Sequence, residues 1–227
     1  MHYIVKVPPY SGNSVVVRPK DPFGLCELSN FDIKLFEIGK WSYISSAKLT
    51  HYFEPLTPIT IGNCTSIAEN VTFIGPSNHH WEWISSYPIE IFNSFDRTKE
   101  MHNNQKNGIE IGSNVWIGTG VTIMPGVMIA DGSVIGTNST VTKSTKPFGI
   151  YAGNPATFIK FRFDSVTVER LSKIKWWDFP NYFIRQNLEI IFNKPSSESL
   201  DYLEACSRFQ FVDDEDLDCE IPAEICV

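Results

Sequence analysis

Apolar residues recur at every sixth position through the middle of the chain, from Ile109 to Val141. One series consists of Ile111, Ile117, Ile123, Ile129, Ile135 and Val141, and a second series, two residues ahead, consists of Ile109, Val115, Val121 and Val127. Neither an α-helix nor an ordinary strand repeats at six residues, whereas the short strands of a hexapeptide parallel β-helix do. In that fold both series point inward from short strands. A β-sandwich is disfavoured, because hairpins do not keep a single period over so many anchors.

The same period appears earlier in the chain and is interrupted twice. Its earlier anchors are Ile38, Ile44, Ile61, Ile67 and Phe73. The interruptions are the segment 49–58 and the longer segment 76–108, after which the period resumes. An insertion into a repeat projects from one corner while the flanking strands continue the stack. Because the longer one contains two tryptophans, a tyrosine and three of the five histidines, we expect a packed wall and not a flexible tether.

The flanking segments predict a four-part chain of the all-β class with a small helical appendage. We expect an N-terminal cap over 1–35, a β-helix over 36–163 with a projecting loop insertion at 76–108, C-terminal helices over 164–210 and an acidic tail over 211–227. The cap contains one apolar run, Val15 to Val17, among several prolines and glycines. Such a run suits a strand at the edge of the solenoid.

Three helices are predicted in the appendage. The first runs from Ser165, as N-cap, to Trp177, and the second begins after Asp178 and Pro180. Their apolar stripes are Val166, Leu171, Ile174 and Trp177 in the first, and Phe183, Ile184, Leu188 and Ile191 in the second. The third helix is predicted from Ser196 to Ala205.

Composition narrows the possible partners. The net charge of −7 and the isoelectric point near 5.2 argue against a nucleic-acid partner, because such surfaces neutralise many phosphates. The five cysteines form an odd and widely spaced set, which predicts free thiols in a reducing compartment and no zinc site. Since the sequence shows neither a signal peptide nor an apolar run of about 18 residues, we expect a cytoplasmic protein without a membrane partner.

The richest group of chemically active residues lies at the start of the long insertion. It comprises Asn78, His79, His80, Trp81, Glu82 and Trp83. A histidine can take a proton near neutral pH, which suits it to activate a hydroxyl or an amine that attacks a thioester. A metal site is not expected, because adjacent His79 and His80 rarely direct both rings to one ion and no third ligand is spaced nearby.

The segment NHHWEWISSYP resembles a motif of the xenobiotic acetyltransferases, a branch of the hexapeptide-repeat acyltransferases. In that motif Asn-His is followed by an acidic residue three positions later, and then by Ser or Thr, an aromatic residue and Pro. The resemblance implies His79 as the catalytic base. It also implies an acceptor site that includes Trp41, Tyr43, Asn78, Glu82 and Trp83. Glutamate stands where the family usually has aspartate, and the first coil keeps only Trp41 and Tyr43 of the family's acceptor-facing residues, so the acceptor stays open.

Three further segments, VWIG, VTKS and YAGNPATFIKFRF, resemble the coenzyme A groove of the same family. Acetyl-CoA is therefore the expected co-substrate, with Trp116 near its acetyl end and Pro155 near its adenine. The remaining implied contacts are Gly118 and Gly136, which permit close approach, and Thr142, Lys143, Lys160 and Arg162, near the pantetheine or the phosphates. The resemblance further implies left-handed winding and a homotrimer with active sites between subunits.

These patterns predict an acetyl-CoA-dependent O-acetyltransferase that modifies a hydroxyl of a small-molecule acceptor, either an antibiotic or a sugar. Two alternatives stay open: an N-acyltransferase acting on an amino sugar or an amino nucleotide sugar, and a non-catalytic hexapeptide-repeat scaffold that is also trimeric. The sequence does not choose between antibiotic resistance and polysaccharide decoration. It also leaves open the preferred acyl chain and the role of the acidic tail.

Overall fold

The computed structural model describes residues 2–7, 15–17, 36–50, 59–75, 82–86 and 108–208. The chain divides after Arg162 into two compact units, which we call the solenoid unit and the helical unit. Most of the predicted cap, most of the long insertion and the acidic tail lie outside the described residues.

The described part of the solenoid unit is built from short strands. They are β1 (His2–Val7), β2 (Val15–Val17), β3 (Phe36–Ile38), β4 (Tyr43–Thr50), β5 (Ile59–Ile61), β6 (Ser66–Ile67), β7 (Val71–Ile74), β8 (Ile109–Ile111), β9 (Trp116–Ile117), β10 (Thr122–Ile123), β11 (Met128–Ile129), β12 (Val134–Ile135), β13 (Thr140–Val141), β14 (Gly149–Gly153) and β15 (Ala156–Phe161).

Parallel pairing arranges these strands into three faces of a β-helix. The first face contains β3, β5, β8 and β11. The second contains the beginning of β4 with β6, β9, β12 and β14. The third contains the end of β4 with β7, β10 and β13. β1 and β2 pair antiparallel with β4 and β3, and β15 pairs antiparallel with β14.

The six-residue period corresponds to one strand and one corner. Stacked anchors fill the interior, namely Ile38, Ile61, Ile111 and Ile129 on the first face, Ile44, Ile67, Ile117 and Ile135 on the second, and Leu49, Phe73, Ile123 and Val141 on the third. The second series also points inward, since Ile109, Val115, Val121 and Val127 are buried. The predicted parallel β-helix is therefore confirmed.

The long insertion takes the place of one corner. The chain leaves the third face at Gly75, after β7, and re-enters at Gly108, before β8 on the first face. In the next coil the same corner is only the short turn between β10 and β11. The described flanks of the insertion, Gly75 and Gly108, therefore lie at the corner between the third and first faces.

Buried hydroxyls satisfy backbone groups at the corner between the first and second faces. Ser42 Oγ donates to the carbonyl of Gly62 (2.6 Å) and accepts from the backbone N–H of Thr65 (2.8 Å). Thr65 Oγ1 in turn donates to the carbonyl of Gly112 (2.8 Å). These bonds let polar corners close over an apolar interior, because a buried backbone group without a partner is costly.

Phe148 fills the last coil of the solenoid. Its side chain is fully buried, and the Arg162 guanidinium lies 5.6 Å from the centre of its ring. Arg162 Nη1 also donates to the carbonyl of Gly132 (2.8 Å). A Cβ atom at Gly132 would collide with the Phe148 ring, and Gly132 has a φ of +69°, so both space and backbone conformation favour glycine here.

The helical unit contains α1 (Ser165–Ile174), a 3₁₀ turn (Trp176–Asp178), α2 (Asn181–Gln186), α3 (Leu188–Ile191) and α4 (Ser197–Ser207). The predicted third helix is confirmed as α4, with Ser196 and Ser199 forming a reciprocal capping box. Arg170 of α1 binds Asp201 and Glu204 of α4 (2.6 Å each) and thereby holds the pKa of Glu204 below its usual value.

Several details of the helix predictions were wrong. Asp164, and not Ser165, caps α1, because its carboxylate accepts from the backbone N–H of Thr167 (2.9 Å). The first helix ends at Ile174, where Lys175 adopts φ of +47°, and Val166 is 65% exposed instead of buried. The second run is broken into two short helices at Asn187, which leaves Leu188 exposed.

Two further properties concern the whole described chain. The cysteines that the structure describes, Cys64 and Cys206, are free thiols, as predicted for them. Across the described ranges, every helix is too short or too polar to cross a membrane.

Candidate functional site

The proposed base and its neighbour lie outside the described residues. His79 and Asn78 fall within the segment 76–81, just after the solenoid ends its third face at Gly75. The roles of both residues therefore stay predictions. The described flank shows only that this segment begins at the corner between the third and first faces.

Glu82 and Trp83 belong to the short described stretch 82–86 of the insertion. Both side chains are exposed, and Trp83 is 48% exposed. A large aromatic side chain at the surface is available to contact a ligand or another chain. Their acceptor-binding role also stays a prediction.

Outward-pointing side chains form a line along the second face, which we call the outer column. Its members, in register from the first coil to the last, are Tyr43, Ser66, Trp116, Val134 and Ile150. Ser66 Oγ donates a short hydrogen bond to the Tyr43 hydroxyl. Trp116 is 57% exposed. Because neighbouring strands lie about 4.8 Å apart, Tyr43 and Trp116 are separated by about 10 Å along the solenoid axis.

A second line, beside the outer column, contains only small residues. This small column consists of Ala68, Gly118, Gly136 and Ala152, which directly follow the paired residues Ile67, Ile117, Ile135 and Tyr151 of the second face. Their backbones are tied to the following coil, for example by Gly118 N–H to the carbonyl of Ile135 (2.9 Å) and Gly136 N–H to the carbonyl of Tyr151 (2.8 Å). Since no member has more than a methyl group, the surface here is low, and the larger outer column stands along one side of it.

Glycine is also required within the small column by the stacking of the coils. A Cβ atom at Gly118 would lie 2.8 Å from the backbone nitrogen of Thr137, and one at Gly136 would lie 2.9 Å from the Cβ of Ala152. The same glycines therefore allow the coils to pack and keep the face open to close approach by a ligand.

Pro155 and Lys160 lie at the last-coil end of the second face. Pro155 is exposed in the turn between β14 and β15, three residues after Ala152. Lys160 is exposed on β15 and pairs with Ile150, the last member of the outer column. The structure thus brings five predicted coenzyme A contacts, Trp116, Gly118, Gly136, Pro155 and Lys160, onto the second face or its end.

The other predicted contacts lie elsewhere on the solenoid. Thr142 and Lys143 follow β13 and are exposed at the corner between the third and first faces. Arg162 lies against Gly132 and Phe148, and burial lowers the pKa of its guanidinium. Trp41 lies at the corner before β4, with φ of +60°. One chain therefore does not collect all the predicted contacts in one place.

Ser66 was missed as a candidate, although the period could have found it. Each member of the outer column from the first three coils immediately precedes an inward anchor: Tyr43 precedes Ile44, Ser66 precedes Ile67, and Trp116 precedes Ile117. Aligning the coils on those anchors places Ser66 between two predicted site residues.

Comparisons with known proteins are consistent with this arrangement. The family model of the bacterial transferase hexapeptide, with six repeats, matches residues 108–143. A probable macrolide acetyltransferase of Lysinibacillus sphaericus is 41% identical over 157 residues, which cover 67% of this chain and 87% of that protein. A chloramphenicol acetyltransferase of Escherichia coli is 31% identical over 199 residues, which cover 81% of this chain and 89% of that protein. A virginiamycin A acetyltransferase of Staphylococcus aureus is 36% identical over 168 residues, which cover 69% of this chain and 76% of that protein.

Proposed function

Because this chain belongs to the hexapeptide-repeat acyltransferases, in the xenobiotic acetyltransferase branch, we propose that it transfers the acetyl group of acetyl-CoA to a hydroxyl of an antibiotic. The observation that carries the proposal is the second face of the solenoid, where Trp116 stands beside the small column. An antibiotic is favoured over a sugar because the similar proteins described above are named for macrolides, chloramphenicol and virginiamycin.

The small column suits the pantetheine arm of acetyl-CoA. An extended ligand can lie along a coil edge and exchange hydrogen bonds with backbone groups there, as an added strand would. Low side chains at Gly118 and Gly136 permit that approach, and Trp116 offers an aromatic surface beside it. Pro155 and Lys160, at the last-coil end, would meet the adenine and a phosphate. The acetyl group would then point towards the first coils.

A homotrimer would bring predicted coenzyme A contacts from different parts of the solenoid to one site. Lys143 lies at the corner between the third and first faces and the small column lies on the second face, so a Lys143 supplied by a neighbouring subunit would let one coenzyme A meet both. Closed cyclic symmetry would also cover the flat faces of the solenoid. Three-fold assembly and left-handed winding are both expected of this family. Sedimentation should give a particle of three chains, and a stable, active single chain would overturn this site.

In the proposed reaction His79 accepts the proton of the acceptor hydroxyl. The acceptor oxygen attacks the carbonyl carbon of the thioester, so that a C–O bond forms and the C–S bond breaks. The proton then passes from His79 to the departing coenzyme A sulfur, which leaves as a thiol. No covalent enzyme intermediate is required.

Thiol release from acetyl-CoA tests the proposal. The purified protein would be offered a macrolide, chloramphenicol, virginiamycin and an amino sugar nucleotide, and the product would be identified by mass spectrometry. Acetylation of an antibiotic hydroxyl is the expected result. Acetylation of the amino sugar alone would identify an N-acyltransferase, and a failure to bind acetyl-CoA at all would favour a scaffold.

Trp116→Ala should weaken acetyl-CoA binding about tenfold, because apolar surface that covers the ligand is removed. Met128→Ala is the matched control, since Met128 is also about half exposed and points outward from the first face. Isothermal titration with acetyl-CoA measures both variants. Equal loss of affinity in the two variants, or no loss for Trp116→Ala, would contradict the location of the cofactor.

A further inference from the structure

The outer column changes character along its length. Val134 and Ile150, towards the last coil, are apolar, and Trp116 follows them in the middle. Tyr43 and Ser66 occupy the first two coils and present hydroxyl groups. The polar end of the column is therefore opposite to the end where Pro155 and Lys160 lie.

The two hydroxyl groups form one unit. Ser66 and Tyr43 are half-buried neighbours on adjacent strands of the second face, and Ser66 Oγ donates to the Tyr43 hydroxyl. A phenol that accepts one hydrogen bond still has its own proton to donate to another partner. Its position is restricted by the bond from Ser66, so the phenol needs less ordering when it binds a ligand.

The outward direction of this pair distinguishes it from the buried hydroxyls of the corners. Ser42 and Thr65 bond backbone groups inside the stack, which is a structural role. Ser66 and Tyr43 instead bond each other on the outer side of a face, next to the low surface at Ala68. The hydroxyl pair thus stands where a ligand lying along the small column would reach the first coils.

From this geometry we propose that Ser66 is a positioning residue, which fixes the Tyr43 phenol so that it binds a polar oxygen of the acceptor beside the thioester. The inference rests on the proposed function, because it takes the acetyl group to lie towards the first coils. Ser66 acts through Tyr43 and does not itself touch the acceptor. The pair therefore affects acceptor binding and leaves acetyl-CoA binding unchanged.

A double-mutant cycle tests this inference. The variants are Ser66→Ala, Tyr43→Phe and the double variant, assayed with the macrolide, chloramphenicol or virginiamycin, whichever the wild type acetylates fastest. Each single variant should raise the KM for the antibiotic by about threefold to tenfold, the usual effect of losing one neutral hydrogen bond. The double variant should be no worse than Tyr43→Phe alone, because the serine acts only through the phenol.

Three controls separate positioning from a structural effect. Ser66→Thr keeps a hydroxyl and should restore the antibiotic KM. Thr60→Ala, an outward, half-buried position of the same coil on the first face, should leave it unchanged. The KM for acetyl-CoA and the thermal unfolding temperature should stay constant across the set.

The possible failures are distinguishable. A wild-type protein that acetylates none of these acceptors would overturn the proposed function and this inference with it. An active wild type combined with an unchanged KM in Ser66→Ala would overturn the inference alone. Additive effects in the double variant would also overturn it, since Ser66 would then act independently of Tyr43.

Discussion

His79→Ala should lower kcat for acetyl transfer by at least about a hundredfold, because removal of a general base takes away proton transfer from the attacking hydroxyl. Acetyl-CoA should still bind with unchanged affinity, since the proposed cofactor contacts lie on the solenoid and the proposed base lies in the insertion. Steady-state thiol release, together with calorimetric titration of acetyl-CoA, measures both quantities on the same protein.

His80→Ala is the matched control for this experiment. The two histidines are adjacent in sequence and only His79 fits the family motif, so the His80 variant should keep its rate within a few-fold. Loss of activity in both variants would indicate damage to the insertion. Loss only in His80→Ala would show that the motif is aligned one residue out of place, and a fully active His79→Ala would remove His79 from the mechanism.

The six-residue period was sufficient to predict the solenoid because every anchor residue fills the apolar interior. Ile111, Ile117 and Ile123 occur on three different faces, yet all three fill the same interior, so their spacing is independent of which partner each one meets. The interruption of the period also located the insertion at a corner. A regular apolar period therefore predicts which residues face the interior in every coil, and a break in the period marks an insertion.

Conformations imposed by stacking were not predictable in the same way. Corner positions with positive φ are occupied by Asn114 and Gly132, as local preference favours, but also by Trp41 and Phe148. Backbone bonds to a neighbouring coil hold these turns: the Cys64 N–H donates to the Lys40 carbonyl beside Trp41 (2.9 Å), and the Phe148 N–H donates to the Asp131 carbonyl (2.8 Å). The local sequence gives no sign of them.

The site was predictable only in part because it depends on more than the register of the coils. Anchor spacing places Tyr43, Ser66 and Trp116 in one line, whereas a hydrogen bond between two of them depends on side-chain geometry that no spacing encodes. Lys143 and Trp116 were both assigned to coenzyme A by resemblance, but the structure puts Lys143 at the corner between the third and first faces and Trp116 on a strand of the second face. In the proposed trimer, the two residues would meet the same ligand from neighbouring subunits.

The closure of the solenoid departs from the period for a physical reason. Six residues after Val141 comes Pro147, but the residue that fills the last coil is Phe148. Between Val141 and Phe148, the Ser144 hydroxyl accepts a hydrogen bond from the backbone N–H of Met128 (3.0 Å). The backbone N–H of Thr145 donates to the carbonyl of Met128 (3.0 Å). The chain thus follows β11 with a mixture of side-chain and backbone bonds in place of a regular strand, and the buried position moves from residue 147 to residue 148.

Phe148→Ala should lower the free energy of unfolding of the solenoid by about 3 to 5 kcal/mol, the range found for removing a buried phenylalanine. The ring is fully buried, and its loss would leave a cavity beside Gly132. It would also remove the ring on which the Arg162 guanidinium lies, 5.6 Å from the ring centre.

Phe158→Ala is the matched control, since Phe158 is 45% exposed on β15 and packs edge-on against Tyr151 and Phe161. Its loss should cost only about 1 kcal/mol, because little apolar surface is removed from the interior. Urea unfolding at one protein concentration compares the two variants, since the stability of the proposed trimer would depend on concentration. Similar losses in both variants would mean that Phe148 does not close the β-helix. A large loss for Phe148→Ala alone would show that the last coil is stabilised by an aromatic plug that the six-residue period does not encode.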